Sequence, residues 1–320
     1  RSTAPAAPER LTHASGVEMT PDATTPMRCY HHRDFDPADL AERKSGASVS
    51  VCLPARNEAA TVGDIVATIR RDLIERVALI DEILVIDDHS TDDTGPVAER
   101  AGAQVARAQD VLPEYGEGHG KGEALWKSLH VATGDLIVWC DADIRDFESR
   151  FVVGLLGPLL TDPALAFVKG CYERPVTGEL GGGRVTELVA RPLLCLLFPH
   201  LASINQPLSG EYAGRREILE KLPFVQGYGV DIGLLIDVAR LVGVDAIAQV
   251  DLGTRTHRNR SLEQLSPQAM AVLQTALRRA EVTEVPAVAW LSRPGQEPVE
   301  VDVRERPPLC EVPAYRPRSR

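Results

Sequence analysis

The sequence has no long hydrophobic run: its most apolar stretch, Leu193 to Phe198, falls far short of the roughly 20 residues that a membrane-spanning helix requires. It also lacks the charged-then-apolar opening of an export signal, so the chain is expected neither to cross a bilayer nor to be exported. A basic excess is missing too. Lys and Arg number 35 against 46 Asp and Glu, a formal charge of −11. This argues against nucleic acid or an anionic membrane as partner, because both are bound by cationic side chains that neutralise phosphate. The six cysteines (Cys29, Cys52, Cys140, Cys171, Cys195, Cys310) contain no C-x-x-C pair and lie far apart, as free thiols do in a reducing cytoplasm. Internal repeats are absent.

What is present is 320 residues at 44% hydrophobic composition, enough for one large α/β domain or two smaller ones without a disulfide or metal staple. Residues 1–45, rich in Ala, Pro, Thr and charge, read as a flexible arm or a truncated start. Ser292 to Arg320 carries six prolines among scattered charges, and residues 291–320 read as a Pro-rich tail. Neither end is expected to add much to the core.

Between the ends, short β-branched runs alternate with longer helical stretches, the pattern of a mostly parallel sheet flanked by helices. Ser48–Leu53, Glu82–Asp87, Gln104–Arg107, Asp135–Cys140, Leu165–Gly170 and Ala246–Asp251 read as strands. Helices are expected near residues 59–74, 91–101, 121–133 and 149–160, then at Val185–Leu197, Arg216–Leu222, Val230–Val242 and Gln264–Glu281. The first four units fit a Rossmann-like nucleotide-binding half.

In open α/β sheets ligands bind beyond the carboxyl ends of the strands, and three apolar runs end in polar chemistry. The first continues as Pro54-Ala55-Arg56-Asn57-Glu58, the second as Asp87-Asp88-His89-Ser90-Thr91-Asp92-Asp93, the third as Asp141-Ala142-Asp143. Taken singly, these residues also suit strand ends, turns and helix caps. Together, carboxylates gathered at one sheet edge repel one another unless a cation or sugar hydroxyls compensate. In D-x-D on an extended chain both carboxylates share a face, so Asp141 and Asp143 can turn toward one metal and diphosphate.

The order of PARNE, DDHSTDD, the glycine segment Gly116 to Gly122 with Lys121, and DAD resembles glycosyltransferases of the GT-A fold that use nucleotide-diphosphate sugars. Downstream, Gly181 to Pro192 (GGGRVTELVARP), Gln206 to Tyr212 (QPLSGEY) and Arg255 to Arg260 (RTHRNR) narrow the resemblance to the actinobacterial glucosyl-3-phosphoglycerate synthase family, which has mannosyl-transferring members. It covers roughly residues 46 to 282. It implies a nucleotide-sugar-binding core over 46–215 and an acceptor-side, helical C-terminal part of the same domain over 216–290.

The resemblance also implies roles. Pro54, Ala55, Arg56, Asn57, Glu58 and Asp88 would hold base and ribose; Lys121, Asp141, Ala142, Tyr228, Asp231, Arg255 and Arg260 would complete the nucleotide-sugar site. The glycine segment is not a P-loop, since Gly122 stands where Ser or Thr should follow Gly-Lys; it reads as a loop that closes on the donor. Asp143 and His257 would hold a divalent metal, and Mg²⁺, Mn²⁺ and Co²⁺ all suit that donor set. Gly183, Arg184, Val185, Thr186 and Asn259 would bind the acceptor, 3-phosphoglycerate, through a helix N-terminus and a guanidinium. Asp143, Leu208, Glu211, Asp231 and Arg258 would stand at the reacting centre. The family is retaining, and the Leu208 backbone carbonyl would favour front-face attack, with Glu211 and Asp231 holding sugar hydroxyls. A homodimer is implied as well.

Two departures from the family bear on the donor: Asp231 stands where glucosyl enzymes typically carry Glu, and Asp88 replaces a smaller residue. They point toward GDP-mannose, with GDP-glucose and UDP-glucose as alternatives. Competing readings are a polyprenyl-phosphate sugar transferase of the same fold and a nucleotide-sugar-binding regulator without turnover.

Overall fold

The computed structural model describes residues 27–173, 183–256, 261–281, 284–293 and 297–317. Its strands are β1 Arg28–His31, β2 Val49–Ala55, β3 Glu82–Asp87, β4 Gln104–Arg107, β5 Leu136–Trp139, β6 Phe167–Glu173, β7 Tyr212–Arg215, β8 Phe224–Val225, β9 Ile247–Thr254, β10 Val288–Leu291, β11 Val299–Asp302 and β12 Glu305–Arg306. The helices are α1 Pro37–Arg43, α2 Val62–Ile69, α3 Thr94–Ala101, α4 Lys121–Val131, α5 Arg150–Thr161, α6 Arg191–Leu197, α7 Arg216–Leu219, α8 Val230–Val242 and α9 Leu262–Ala280. All six strands and all eight helical stretches read from the sequence have a helix or strand at their place, within a few residues at the ends; α2 continues as a π turn over Arg70–Glu75.

Eight strands form one sheet in the order β1-β9-β6-β7-β5-β2-β3-β4. Every pairing is parallel except those of β7, which runs antiparallel to both β5 and β6. The period of two in each strand divides the core between the two faces. Leu136 and Val138 of β5 turn to the face covered by α2 and α5, with Ile65, Val66, Phe151 and Leu155, while Ile137 and Trp139 turn to the face covered by α4 and α8. Strands buried on both faces read as near-continuous apolar runs, which is why EILVID and DLIVWC are so conspicuous.

Both ends of the described chain correct the sequence expectation. Within the supposed flexible arm, β1 pairs in parallel with β9 and covers that sheet edge. Asp36 caps α1 by accepting from the Ala38 N–H at 2.8 Å, Pro37 occupies its first position, and Leu40 is fully buried. In the supposed tail, β12 pairs with β8, and Leu309, Val312 and Tyr315 sit in the main core cluster. Arg306 donates from Nε to Glu123 Oε2 at 2.6 Å, and Trp126 Nε1 donates to the Pro307 carbonyl at 2.9 Å. Isolated apolar residues among prolines carry no periodicity, so a strap that drops single side chains into gaps between helices escapes pattern reading. Among the described residues no helix is long and apolar enough to cross a membrane. All six cysteines are free, with Cys52, Cys140 and Cys171 buried.

Candidate active site

The register of the parallel strands sets the ends of β2 and β3 side by side, with Ala55 opposite Asp87, and β5 ends beside them. The polar segments that follow are stitched together before any ligand is considered. Asn57, left-handed at φ 57°, donates its N–H to Ser90 Oγ at 3.0 Å and accepts from the Thr91 N–H at 2.8 Å. The Glu58 N–H donates to Thr94 Oγ1 at 2.8 Å, and Asp87 Oδ1 accepts from the Ser90 N–H. In the acidic run at the end of β3, Asp87, Ser90, Thr91 and Thr94, together with Asp92, which accepts from the Thr94 N–H at 3.0 Å, are therefore scaffold. Asp88 is the carboxylate of that run that faces inward, accepting from the Gly120 N–H at 3.0 Å.

Beyond these ends lies a cleft of about 450 Å³. Pro54, Ala55, Arg56, Glu58 and Asp88 line it, as do Lys121, Asp141, Ala142 and Asp143. So do Gly183, Arg184, Val185 and Thr186. Leu208, Tyr228, Asp231 and Arg255 complete the set that the sequence singles out. Asn57 and Glu211 do not line it: Asn57 is spent on the β2–β3 stitch, and Glu211 lies fully buried behind the wall. His257, Arg258, Asn259 and Arg260 lie outside the described residues.

One charge network organises the floor. Arg255 Nη1 donates to Glu211 Oε1 at 2.7 Å and to the Tyr172 hydroxyl at 2.8 Å; Nη2 donates to Asp143 Oδ1 at 2.8 Å and Asp141 Oδ2 at 3.2 Å. Lys121 Nζ lies 3.0 Å from Asp141 Oδ1 and 3.2 Å from Asp231 Oδ1, and the Tyr212 hydroxyl donates to that same Asp231 oxygen at 3.1 Å. Burial pushes the Asp141 carboxyl up, but the Lys121 and Arg255 charges outweigh it and hold the group below the ordinary carboxylate range. Burial raises Glu211, with Arg255 opposing and Asp141 adding. Burial would lower Lys121, yet Asp141 and Asp231 keep its ammonium well above the ordinary value.

The donor chemistry suits a divalent cation. Asp141, Asp143, Glu211 and Asp231 face Arg255, Lys121 and the buried Lys169, and Glu211 Oε2 is left without a hydrogen-bond partner. Asp143, partly exposed and engaged on Oδ1 alone, is the carboxylate free to turn toward an ion. The chain just before His257 is fixed to the same loop, because the Thr256 N–H donates to Asp146 at 3.0 and 3.1 Å.

Some lining residues escape sequence reading. Leu265, Gln268 and Val272 form one face of α9 at i, i+3, i+7 spacing, and Tyr172 stands at the end of β6. Gly210 carried a signal in hindsight: an added Cβ there would run into the Asp141 carboxylate, so only glycine lets the two segments meet.

Comparison with known proteins supports the same architecture. Residues 50–184 match the family model of Glycosyl transferase family 2. A curated relative, the glucosyl-3-phosphoglycerate synthase of Petrotoga mobilis, is 44% identical over 309 residues, covering 90% of this chain and 95% of its own. Glucosyl-3-phosphoglycerate synthase from Mycobacterium tuberculosis, solved with Mn²⁺, UDP-glucose and phosphoglyceric acid, superposes with a TM-score of 0.82 at 43% identity, over 89% of this chain and 98% of that one. Mannosyl-3-phosphoglycerate synthase from Rubrobacter xylanophilus superposes at 0.81, also at 43% identity, over 89% and 97%.

Proposed function

The chain belongs to the glucosyl-3-phosphoglycerate synthase family, and from that premise we propose that it moves a hexosyl group from a nucleotide-diphosphate sugar to the hydroxyl of 3-phosphoglycerate, with a divalent metal bound. The observation that carries the reading is a single cleft lined both by the strand-end residues Ala55, Glu58, Asp88, Asp141 and Asp143 and by the Gly183 to Thr186 segment. Donor and acceptor can share it.

Glu58 accepts ribose hydroxyls and the backbone at Ala55 reads the base. Lys121 and Arg255 face the diphosphate, while Arg184 and Thr186, with Asn259, orient the acceptor's carboxylate or phosphate. Arg258 and Arg260 add positive charge for the leaving group. Asp143 and His257 would hold the metal, which when bound supplies Lewis-acid stabilisation of the charge left on the diphosphate. The course in this reading is retention by front-face attack, and two features of the arrangement support it. Leu208 lines the cleft, whereas of the two acids a double displacement would call on, Glu211 is buried and tied to Arg255, and Asp231, which lines the cleft, is engaged by Lys121 and Tyr212. If Glu211→Gln trapped a glycosyl adduct, that course would be wrong.

GDP-mannose is the preferred donor in this reading. Asp231, one methylene shorter than Glu and held by Tyr212 and Lys121, would meet different sugar hydroxyls. A homodimer completes the proposal, with Leu188 and Leu196 standing exposed as apolar surface, and six free cysteines fit a reducing cytoplasm.

The test is mass-spectrometric detection of product from 3-phosphoglycerate with GDP-mannose, GDP-glucose or UDP-glucose, each with Mn²⁺ and with chelator. Metal-dependent hexosyl-phosphoglycerate establishes the reaction, and the donor order decides the sugar. Donor lost only to hydrolysis would move the lipid-phosphate acceptor forward, and donor bound but never consumed would favour a regulator.

A further inference from the structure

At the edge of the cleft, sharing Asp88 with its lining but adding two histidines the proposed reaction does not use, three metal-ligating side chains converge. Asp88, His89 and His119 each offer a ligand atom within 4.8 Å of the other two. Asp88 and His89 follow β3, whereas His119 belongs to the glycine loop that leads into α4, so the cluster joins two segments about thirty residues apart. We infer that Asp88, His89 and His119 form a second metal site, for a Zn²⁺-type ion, that clamps the Gly116 to Gly120 loop to the end of β3.

Its donor set separates this site from the one at Asp143. Two imidazoles and one carboxylate favour borderline transition ions such as Zn²⁺, whereas Mg²⁺ and Mn²⁺ are suited by oxygen-rich sites. Ligands of a tetrahedral zinc with bonds of about 2.0–2.1 Å stand roughly 3.4 Å apart. Asp88 Oδ1 and His89 Nδ1 are already 2.9 Å apart. His119 is the exposed member, with its ring 5.1 Å from that of His89 between centroids, and it is the arm that closes. A fourth position is left for water.

The backbone holds the other two members ready. His89 is in the left-handed region at φ 60°, and Asp88 is nine-tenths buried and already tied through Oδ2 to the Gly120 N–H. His119 is the residue before Gly120, and Lys121 begins α4 immediately after. An ion shared by His89 and His119 therefore fixes the loop two residues from the lysine that holds Asp141 and Asp231.

The experiment is equilibrium dialysis with Zn²⁺ alone, without nucleotide, on the full chain and on His89→Ala, His119→Ala and Asp143→Ala, followed by amide hydrogen exchange across the loop. Zn²⁺ affinity should fall at least about tenfold in both histidine variants and stay within about twofold of the parent in Asp143→Ala. Zn²⁺ should slow exchange over Gly116 to Gly120 in the parent and leave it unchanged in His119→Ala. His119 is exposed, so its alanine variant keeps the fold, which circular dichroism verifies. Zn²⁺ bound equally by the parent and both histidine variants, lost only with Asp143, or bound without any slowing of the loop would each overturn the inference.

Discussion

Nη2 of Arg255 donates to Oδ1 of Asp143 at 2.8 Å, while Nη1 of the same guanidinium holds the fully buried Glu211 at 2.7 Å. One planar fork therefore ties the acid behind the cleft wall to the acid most open to it. A lysine cannot do both, since an ammonium is a point charge on a flexible stem. Arg255→Lys should lose on the order of a hundredfold in kcat/KM, and Arg255→Met should also lower stability by about 3–5 kcal/mol, because Glu211 is left buried without its cation. Steady-state kinetics and urea unfolding measure the two effects. A normal kcat/KM in Arg255→Lys would show that the fork does not position the floor.

Asp143 accepts from Arg255 through one oxygen only and is about a third exposed. Asp143→Asn keeps the shape and an acceptor but removes the charge an ion needs. Chelation should abolish transfer in the parent, and Mn²⁺ should restore it. In Asp143→Asn the rate should stay about 10²–10³-fold down at saturating Mn²⁺. Titrating metal against rate in both proteins distinguishes a ligand from a bystander, for which the two curves would coincide.

Gly122 shows how far a motif can be read. Its place after Lys121 breaks the P-loop pattern, and the structure supplies the reason. The first turn of α4 packs so tightly on β8 that an added Cβ would fall on the Val225 carbonyl oxygen, well inside van der Waals contact. Backbone cannot yield as a long side chain can. Gly122→Ala should therefore cost about 1–3 kcal/mol or more in overpacking and shift Lys121 off Asp141 and Asp231. Thermal unfolding and donor titration should deteriorate together. A variant with parental stability would mean that α4 slides to make room.

What the sequence displayed follows the same physics. EILVID and DLIVWC announce buried strands because both their faces are apolar, and the acids beyond them mark the sheet's carboxyl edge. β7, the antiparallel member, was invisible in YAGR, a four-residue strand without alternation. Leu309 and Val312 were hidden by the prolines around them. The site was legible where strand ends contribute it, at Glu58, Asp88 and Asp141. It was less so at Leu265 and Gln268, whose spacing on α9 is that of any amphipathic helix. Asn57 and Glu211 looked like cleft residues by position in their motifs, yet each is turned away to hold neighbouring segments together.

Lys169, on β6 beneath the cleft, has no hydrogen-bond partner for its amine, which lies 4.2 Å from the centroid of the Tyr212 ring. Burial pushes its ammonium down from 10.5 to about 8, with Asp231 opposing and Lys121 adding to the fall. Between about pH 8 and 10.5 the unfolded chain thus holds a proton here that the folded chain has released, so this residue's contribution to stability rises with pH across that window. Below about pH 8 the fold bears the whole cost of the buried charge, about 3 kcal/mol for this gap, offset by up to about 2 kcal/mol from the aromatic face. Lys169→Met, similar in volume and uncharged, should be more stable than the parent at pH 7 by about 1–3 kcal/mol, and that advantage should shrink toward zero by pH 10.5. Urea unfolding of both proteins at matched pH gives the difference directly, so the titration of buried thiols and tyrosines common to the two cancels. An advantage that holds constant from pH 7 to 10.5 would mean that Lys169 keeps its proton in the fold throughout, and a destabilised variant at pH 7 would mean that the ammonium is held by Asp231 more strongly than burial repels it.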